Sequence, residues 1–252
     1  MKAKLTDLEM GFNQVGVGRP FILLHGFGLN RHIWDLVVGH YKSKACFITP
    51  DLRGHGKTQV PPGVYSMHQM ANDIAGLIDT LGLEKIILGG HSMGGYITLA
   101  FAQYHRDRLA GLALITTNAR PDDPLKREGR LALVDAVKEM GAAALADNLA
   151  PRLSKDKVIV DAMHAMILHT DATGIIGAAL GMAERPDRLE VLRQVNCPVL
   201  VVAGQDDMLT PMAASEEMAH AAPRGELLVI PNCGHMPMLE VPDILGESLI
   251  AL

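Results

Sequence analysis

The chain is poor in cysteine, with Cys46, Cys197 and Cys233 an odd, widely spaced set lacking a CxxC pair. That excludes a disulfide framework and leads to the expectation of reduced thiols in a cytoplasmic protein. No apolar run reaches the length of a bilayer span. Blocks of like charge are missing too: 23 Lys and Arg meet 28 Asp and Glu, a net charge of -5. Neither a nucleic acid nor a membrane surface is therefore an expected partner. Behind Met1, Lys2, Ala3 and Lys4 stands no apolar core, so a secretory signal is not expected. Internal repeats and low-complexity tracts are absent. What remains is 252 residues, 48 % hydrophobic and 20 % charged, the composition of an ordinary globular protein. That length suffices for one large α/β domain with an insertion.

Short apolar runs alternate with segments of helical period, the pattern of a mostly parallel sheet flanked by helices. Predicted strands are 21–24, 45–49, 85–88, 109–115, 198–203 and 227–230, none alternating with polar residues, as expected where both faces are covered. Ser66 and Gln69 form a capping-box pattern ahead of a helix to about residue 81, and Gly82 supplies its stop. Between Ile115 and Pro198 the alternation stops, leaving helix-like pieces at 124–140, 142–149, 155–169, 175–183 and 187–194. A single crossover seldom needs so much chain. Residues 119–195 are therefore read as a helical lid inserted between strands, with 1–118 and 196–252 forming the core.

Gly90-His91-Ser92-Met93-Gly94 fits G-x-S-x-G between a predicted strand and a predicted helix. A serine at so sharp a turn is strained, and its neighbours two before and two after must be tiny for the chain to close. The turn lifts the hydroxyl clear of the sheet, at the positive end of the helix. Serine is a poor nucleophile at neutral pH and needs a base. In strand–serine–helix hydrolases the chain order is serine, acid, histidine. Only His220 and His235 lie late enough, and His220 belongs to a helix-like run whose end is exposed. His235 follows the last strand on a loop, from which it can lean over the sheet toward Ser92. The acid that fixes its tautomer is expected at the turn after 198–203, where Asp206 and Asp207 are adjacent. Residue chemistry does not choose between them. The oxyanion needs two backbone donors. The Met93 amide is one, and Phe27 in the glycine-rich loop His25-Gly26-Phe27-Gly28 is the natural second. His25, Gly26 and His91 lie beside these donors and are expected to border the substrate, with pinning of the loops as the competing role for the two histidines.

Taken together, these ordered motifs resemble the α/β-hydrolase superfamily over nearly the whole chain. His25-Gly26-Phe27-Gly28 resembles its oxyanion loop. Residues 51–58 resemble its D-x-R-G-x-G-x-S segment, with Thr58 for the serine. Cys233-Gly234-His235 resembles the segment at the histidine, and 235–242 the tail after it. Gly204 to Pro211 resembles the acid turn G-x-x-D-x-x-x-P, and that resemblance selects Asp207. A serine at 92 departs from the aspartate of dehalogenases and epoxide hydrolases. Met236 stands where ring-cleavage C–C hydrolases often carry Trp, and His91 where haloperoxidases often carry Phe. The nearest likeness is to small carboxylesterases and enol-lactonase-like enzymes.

The expectation is a serine hydrolase that cleaves carboxylic esters of small-molecule substrates through an acyl-enzyme, with no metal or organic cofactor. The alternatives are enol-lactone or C–C bond hydrolysis, or a non-catalytic receptor on the same fold, which a degraded triad would favour. Methionines in the lid, among them Met163 and Met182, suit an adaptable apolar pocket. Between Ala119 and Val195 there are 11 basic and 12 acidic residues, a balance that favours neutral esters over anionic substrates.

Overall fold

The computed structural model describes residues 1–252. Eight strands form one sheet: β1 (Lys2–Lys4), β2 (Glu9–Gly16), β3 (Pro20–Leu24), β4 (Cys46–Pro50), β5 (Ile86–His91), β6 (Leu109–Ile115), β7 (Val199–Gly204) and β8 (Gly225–Ile230). Their order is β1-β2-β4-β3-β5-β6-β7-β8, parallel from β4 to β8 and antiparallel where β1 and β2 join. The six predicted strands are these parallel ones. β1 and β2 were not anticipated, because β2 carries two glycines, Asn13 and Gln14 among its few apolar residues.

Every residue of β5 and β7 is buried, the mark of strands covered on both faces. Outside the stretch between β6 and β7, the helices are α1 (Asp35–Tyr41), α2 (Met67–Thr80) and α3 (Met93–Tyr104), and those after β7, α9 (Met212–Ala221), α10 (Pro237–Glu240) and α11 (Pro242–Ala251). The Ser66 hydroxyl caps α2 by accepting from the Gln69 N–H at 3.1 Å, and Gly82 ends it at φ 64°. Gly90 on β5 faces α3, whereas Gly111, register partner of Ile87, faces Leu252 at the end of α11. The two helices thus lie on opposite faces of the sheet.

Between β6 and β7 come five helices and no strand: α4 (Pro124–Met140), α5 (Ala143–Leu149), α6 (Lys157–Leu168), α7 (Ala172–Ala183) and α8 (Leu189–Arg193). The stems of this insertion are tied together, Arg188 N–H donating to Ala119 C=O at 2.9 Å. Helix α7 touches the core backbone: a Cβ on Gly174 would stand 1.9 Å from the Gly54 oxygen, and one on Gly181 1.8 Å from the Tyr65 oxygen. No single helix is long and apolar enough to cross a membrane.

Candidate active site

Ser92 sits at the C-terminal end of β5 and the N-cap of α3, with φ 52° and ψ -115°. A non-glycine residue at positive φ is held there only by its surroundings. Here those are backbone hydrogen bonds on both sides: Ser92 N–H donates to Ile115 C=O at 3.0 Å, and Ser92 C=O accepts from the Thr117 hydroxyl at 2.7 Å. A Cβ on Gly90 would lie 2.2 Å from the Gly94 oxygen, and one on Gly94 2.7 Å from the Leu24 oxygen. The elbow therefore closes only with glycine at both places.

His235 follows β8 and is held at four points. Its N–H donates to Leu153 C=O at 2.9 Å, so the insertion helps to seat it. Its C=O accepts from His91 Nε2 at 2.9 Å and from the Thr116 hydroxyl at 3.1 Å. Its ring Nδ1 lies 2.8 Å from Asp207 Oδ2, both side chains only 2 % exposed. The other oxygen, Asp207 Oδ1, accepts from the N–H groups of Leu209 and Thr210 at 2.8 and 3.1 Å. Asp206 points away and pairs with Lys155 at 2.8 Å. Of the two adjacent carboxylates, Asp207 is the one that meets the imidazole. Ser92 and His235 line the same cavity of about 570 Å³, although the hydroxyl makes no hydrogen bond to the ring in this resting arrangement.

Phe27 lines this cavity, and Met93, the first residue of α3, directly follows Ser92. Neither backbone N–H has an acceptor in the protein, as expected of donors kept for a ligand. His91 lines the cavity, and with Nε2 donating to His235 its Nδ1 is left as a buried acceptor without a partner. Burial and the neighbouring His235 and His25 hold the His91 imidazole neutral, well below its ordinary range.

His25 and Gly26, expected to border the substrate, do not line the cavity. His25 is fully buried, accepting the Leu52 N–H at Nε2 (2.9 Å) and donating from Nδ1 to Gly26 C=O (2.8 Å). Both nitrogens are consumed in pinning the loop after β3 to the segment after β4. His55 performs the same service, accepting from Gly28 N–H at 3.3 Å and donating to Arg53 C=O at 2.9 Å. Arg53 is in turn anchored by Asp73, its Nη2 2.6 Å from Oδ1. Thr58 links β2 to this segment, accepting from Gly11 N–H and donating to Asp51 C=O.

One further residue was missed in the sequence. Glu240 accepts from Gly234 N–H at 2.9 Å and from Met236 N–H at 3.1 Å, bracketing His235 with one carboxylate. Its only sequence signal was its place in the tail after the histidine, which says nothing of which backbone it holds.

With this geometry in place the comparisons are informative. A family model described as the alpha/beta hydrolase fold matches residues 19–242. The chain belongs to that family. This α/β hydrolase superposes with a TM-score of 0.95 on a thermophilic esterase from Thermogutta terrifontis solved with malate bound, at 41 % identity and covering 99 % of this chain and 96 % of that one. The enol-lactonase from Burkholderia xenovorans LB400 gives a TM-score of 0.92 at 25 % identity, covering 100 % and 98 % of the two chains. By sequence the hydrolase is 25 % identical over 261 residues to 3-oxoadipate enol-lactonase 2 of Acinetobacter baylyi, covering 100 % of this chain and 96 % of the relative.

Proposed function

We propose that this α/β hydrolase is a serine esterase that cleaves carboxylic esters of small molecules, with Ser92, His235 and Asp207 as its catalytic triad. The observation that carries the reading is the buried 2.8 Å contact of His235 Nδ1 with Asp207, set beside a strained serine that opens on the same cavity. Asp207 fixes the tautomer with the proton on Nδ1, leaving Nε2 as the base. Ser92 Oγ attacks the ester carbonyl carbon as its proton passes to His235 Nε2. The carbonyl oxygen becomes the oxyanion between the Phe27 and Met93 amides. When the carbon–oxygen bond breaks, Nε2–H protonates the leaving alkoxide, and the acyl group stays on Ser92. Water repeats the attack with the same base, releasing the acid and restoring the serine. The helices of residues 119–195 act as the lid that keeps bulk water from this step.

A cyclic ester presents the same bond, and the likeness to enol-lactonases supports it as a second substrate form. A fluorophosphonate probe tests the reading together with a panel of p-nitrophenyl esters. The expected result is a single adduct on Ser92 and ester turnover that vanishes in Ser92→Ala. A folded wild-type protein with neither adduct nor turnover refutes it.

A further inference from the structure

The insertion's charges balance along the chain, 11 basic against 12 acidic, but in space they are sorted. Four of those cations, Lys126, Arg130, Arg152 and Arg185, line the cavity over Ser92, against one carboxylate, Asp122. That leaves the wall three positive charges in excess, four minus one. The charge balance that favoured neutral substrates therefore does not describe the cavity.

Asp122 is already committed. It pairs with Arg130 Nε and lies 2.9 Å from Arg185 Nη1. Burial opposes its ionisation, yet the two guanidiniums outweigh that and hold its carboxyl below the usual range. One anion thus serves two cations. Arg185 is 4 % exposed, donates to the carbonyls of Met182 and Arg120 at 3.1 Å, and lies 4.0 Å over the Tyr96 ring. Its Nε–H still has no acceptor. The side chains of Arg152 and Lys126 enter no ion pair and no hydrogen bond in the protein, while half of the 24 lining residues are hydrophobic. Both cations are exposed at the cavity's edge, solvated and free to pair with an incoming anion. Arg152 also adjoins Leu153, whose carbonyl holds the His235 N–H at 2.9 Å.

We propose that the preferred substrate is an ester whose acyl chain ends in a carboxylate, bound by Arg152 with Lys126 and the free guanidinium donors of Arg130. The apolar lining takes the methylenes between the two ends. This rests on Ser92 as the nucleophile. A planar carboxylate suits the guanidinium fork, which makes Arg152 the principal reader.

The test compares mono-p-nitrophenyl glutarate with p-nitrophenyl valerate, whose acyl chains differ in a terminal carboxylate or methyl, with Ser92→Ala supplying the uncatalysed rate. A preference in kcat/KM of about tenfold or more for the glutarate ester is expected. It should shrink with added salt and largely disappear in the Arg152→Gln/Lys126→Gln variant. Neither side chain has a structural partner to lose, so the variant is expected to fold, which circular dichroism checks. Equal kcat/KM for the two esters in the wild type, or a preference unchanged in the variant, overturns the proposal. Calorimetric titration of Ser92→Ala with glutarate keeps it distinct from the esterase reading. Glutarate binding that needs Arg152 and Lys126 supports the anion site even if no ester turns over, and no binding at low salt counts against it.

Discussion

Acidification from about pH 7.5 to about pH 5.5 is expected to remove up to about 4 kcal/mol of folding stability, well before the carboxylates of the fold titrate. The cause is three imidazoles, His25, His55 and His91, each at most 1 % exposed. Burial comes first among the influences that hold all three below the ordinary histidine value of 6.5. In the unfolded chain they take up protons as the pH falls through that value, while in the native protein burial displaces that protonation to lower pH. A histidine depressed in this way contributes stability that is complete above the unfolded value and is lost as the pH drops below it. One that stays neutral throughout loses RT ln 10 over this interval, about 1.4 kcal/mol, and three lose about three times as much. Against a total of roughly 5–15 kcal/mol that is a large share. Urea unfolding followed by tryptophan fluorescence and circular dichroism at the two pH values measures it. His91→Gln should reduce the pH slope by about a third, because a glutamine amide can still donate to the His235 carbonyl while having no proton to gain. A midpoint that is unchanged, or that rises on acidification, refutes the assignment of these rings as buried and neutral.

Asp207→Asn is expected to lower kcat by about three to four orders of magnitude, by disfavouring the working tautomer of His235. Asp206→Asn, which loses an exposed pair with Lys155, should leave steady-state ester hydrolysis within about twofold. Glu240→Ala frees the N–H groups on both sides of His235, and kcat should fall about ten- to a hundredfold with KM little changed. Normal kcat in a folded Glu240→Ala protein would show that the loop holds the ring without it. Burial, followed by the charges of Glu240, Asp207 and Asp206, pushes the Cys233 thiol up to about 12. Iodoacetamide at about pH 8 should therefore leave it unmodified in the native protein, as read by peptide mass.

The parallel strands were legible as apolar runs, fully buried in β5 and β7 though largely exposed in the edge strand β8, and the elbow because its glycines stand at fixed places around Ser92. The helices of the insertion were legible from their period, whereas the structure adds that Asp123, Asp156 and Asp171 cap α4, α6 and α7. β2 was not, because its buried residues are interrupted by glycine and amide side chains that read as loop. At the site, Ser92 and His235 were readable from local chemistry. Asp207 was separated from Asp206 by resemblance, and physically only a fold can show that one meets the ring while the other meets Lys155. The roles of His25 and Glu240 depend on partners 27 residues away in one case and on backbone N–H groups in the other. Side-chain identity carries no trace of either. The same holds for the cavity charge, which depends on which face of α4 looks inward.

The contact of α7 with the core gives the insertion a fixed point. Helix α7 meets the backbone at Gly54 and Tyr65 too closely to admit even a methyl group at Gly174 or Gly181, and Tyr65 N–H donates to Gly177 C=O at 2.9 Å. This helix cannot rock without breaking main-chain contacts, so its amides should exchange with solvent as slowly as those of β5. Arg185, just past α7, is joined through Asp122 to Arg130 on α4, so the charged wall of the cavity is steadied by the same main-chain contacts that fix α7.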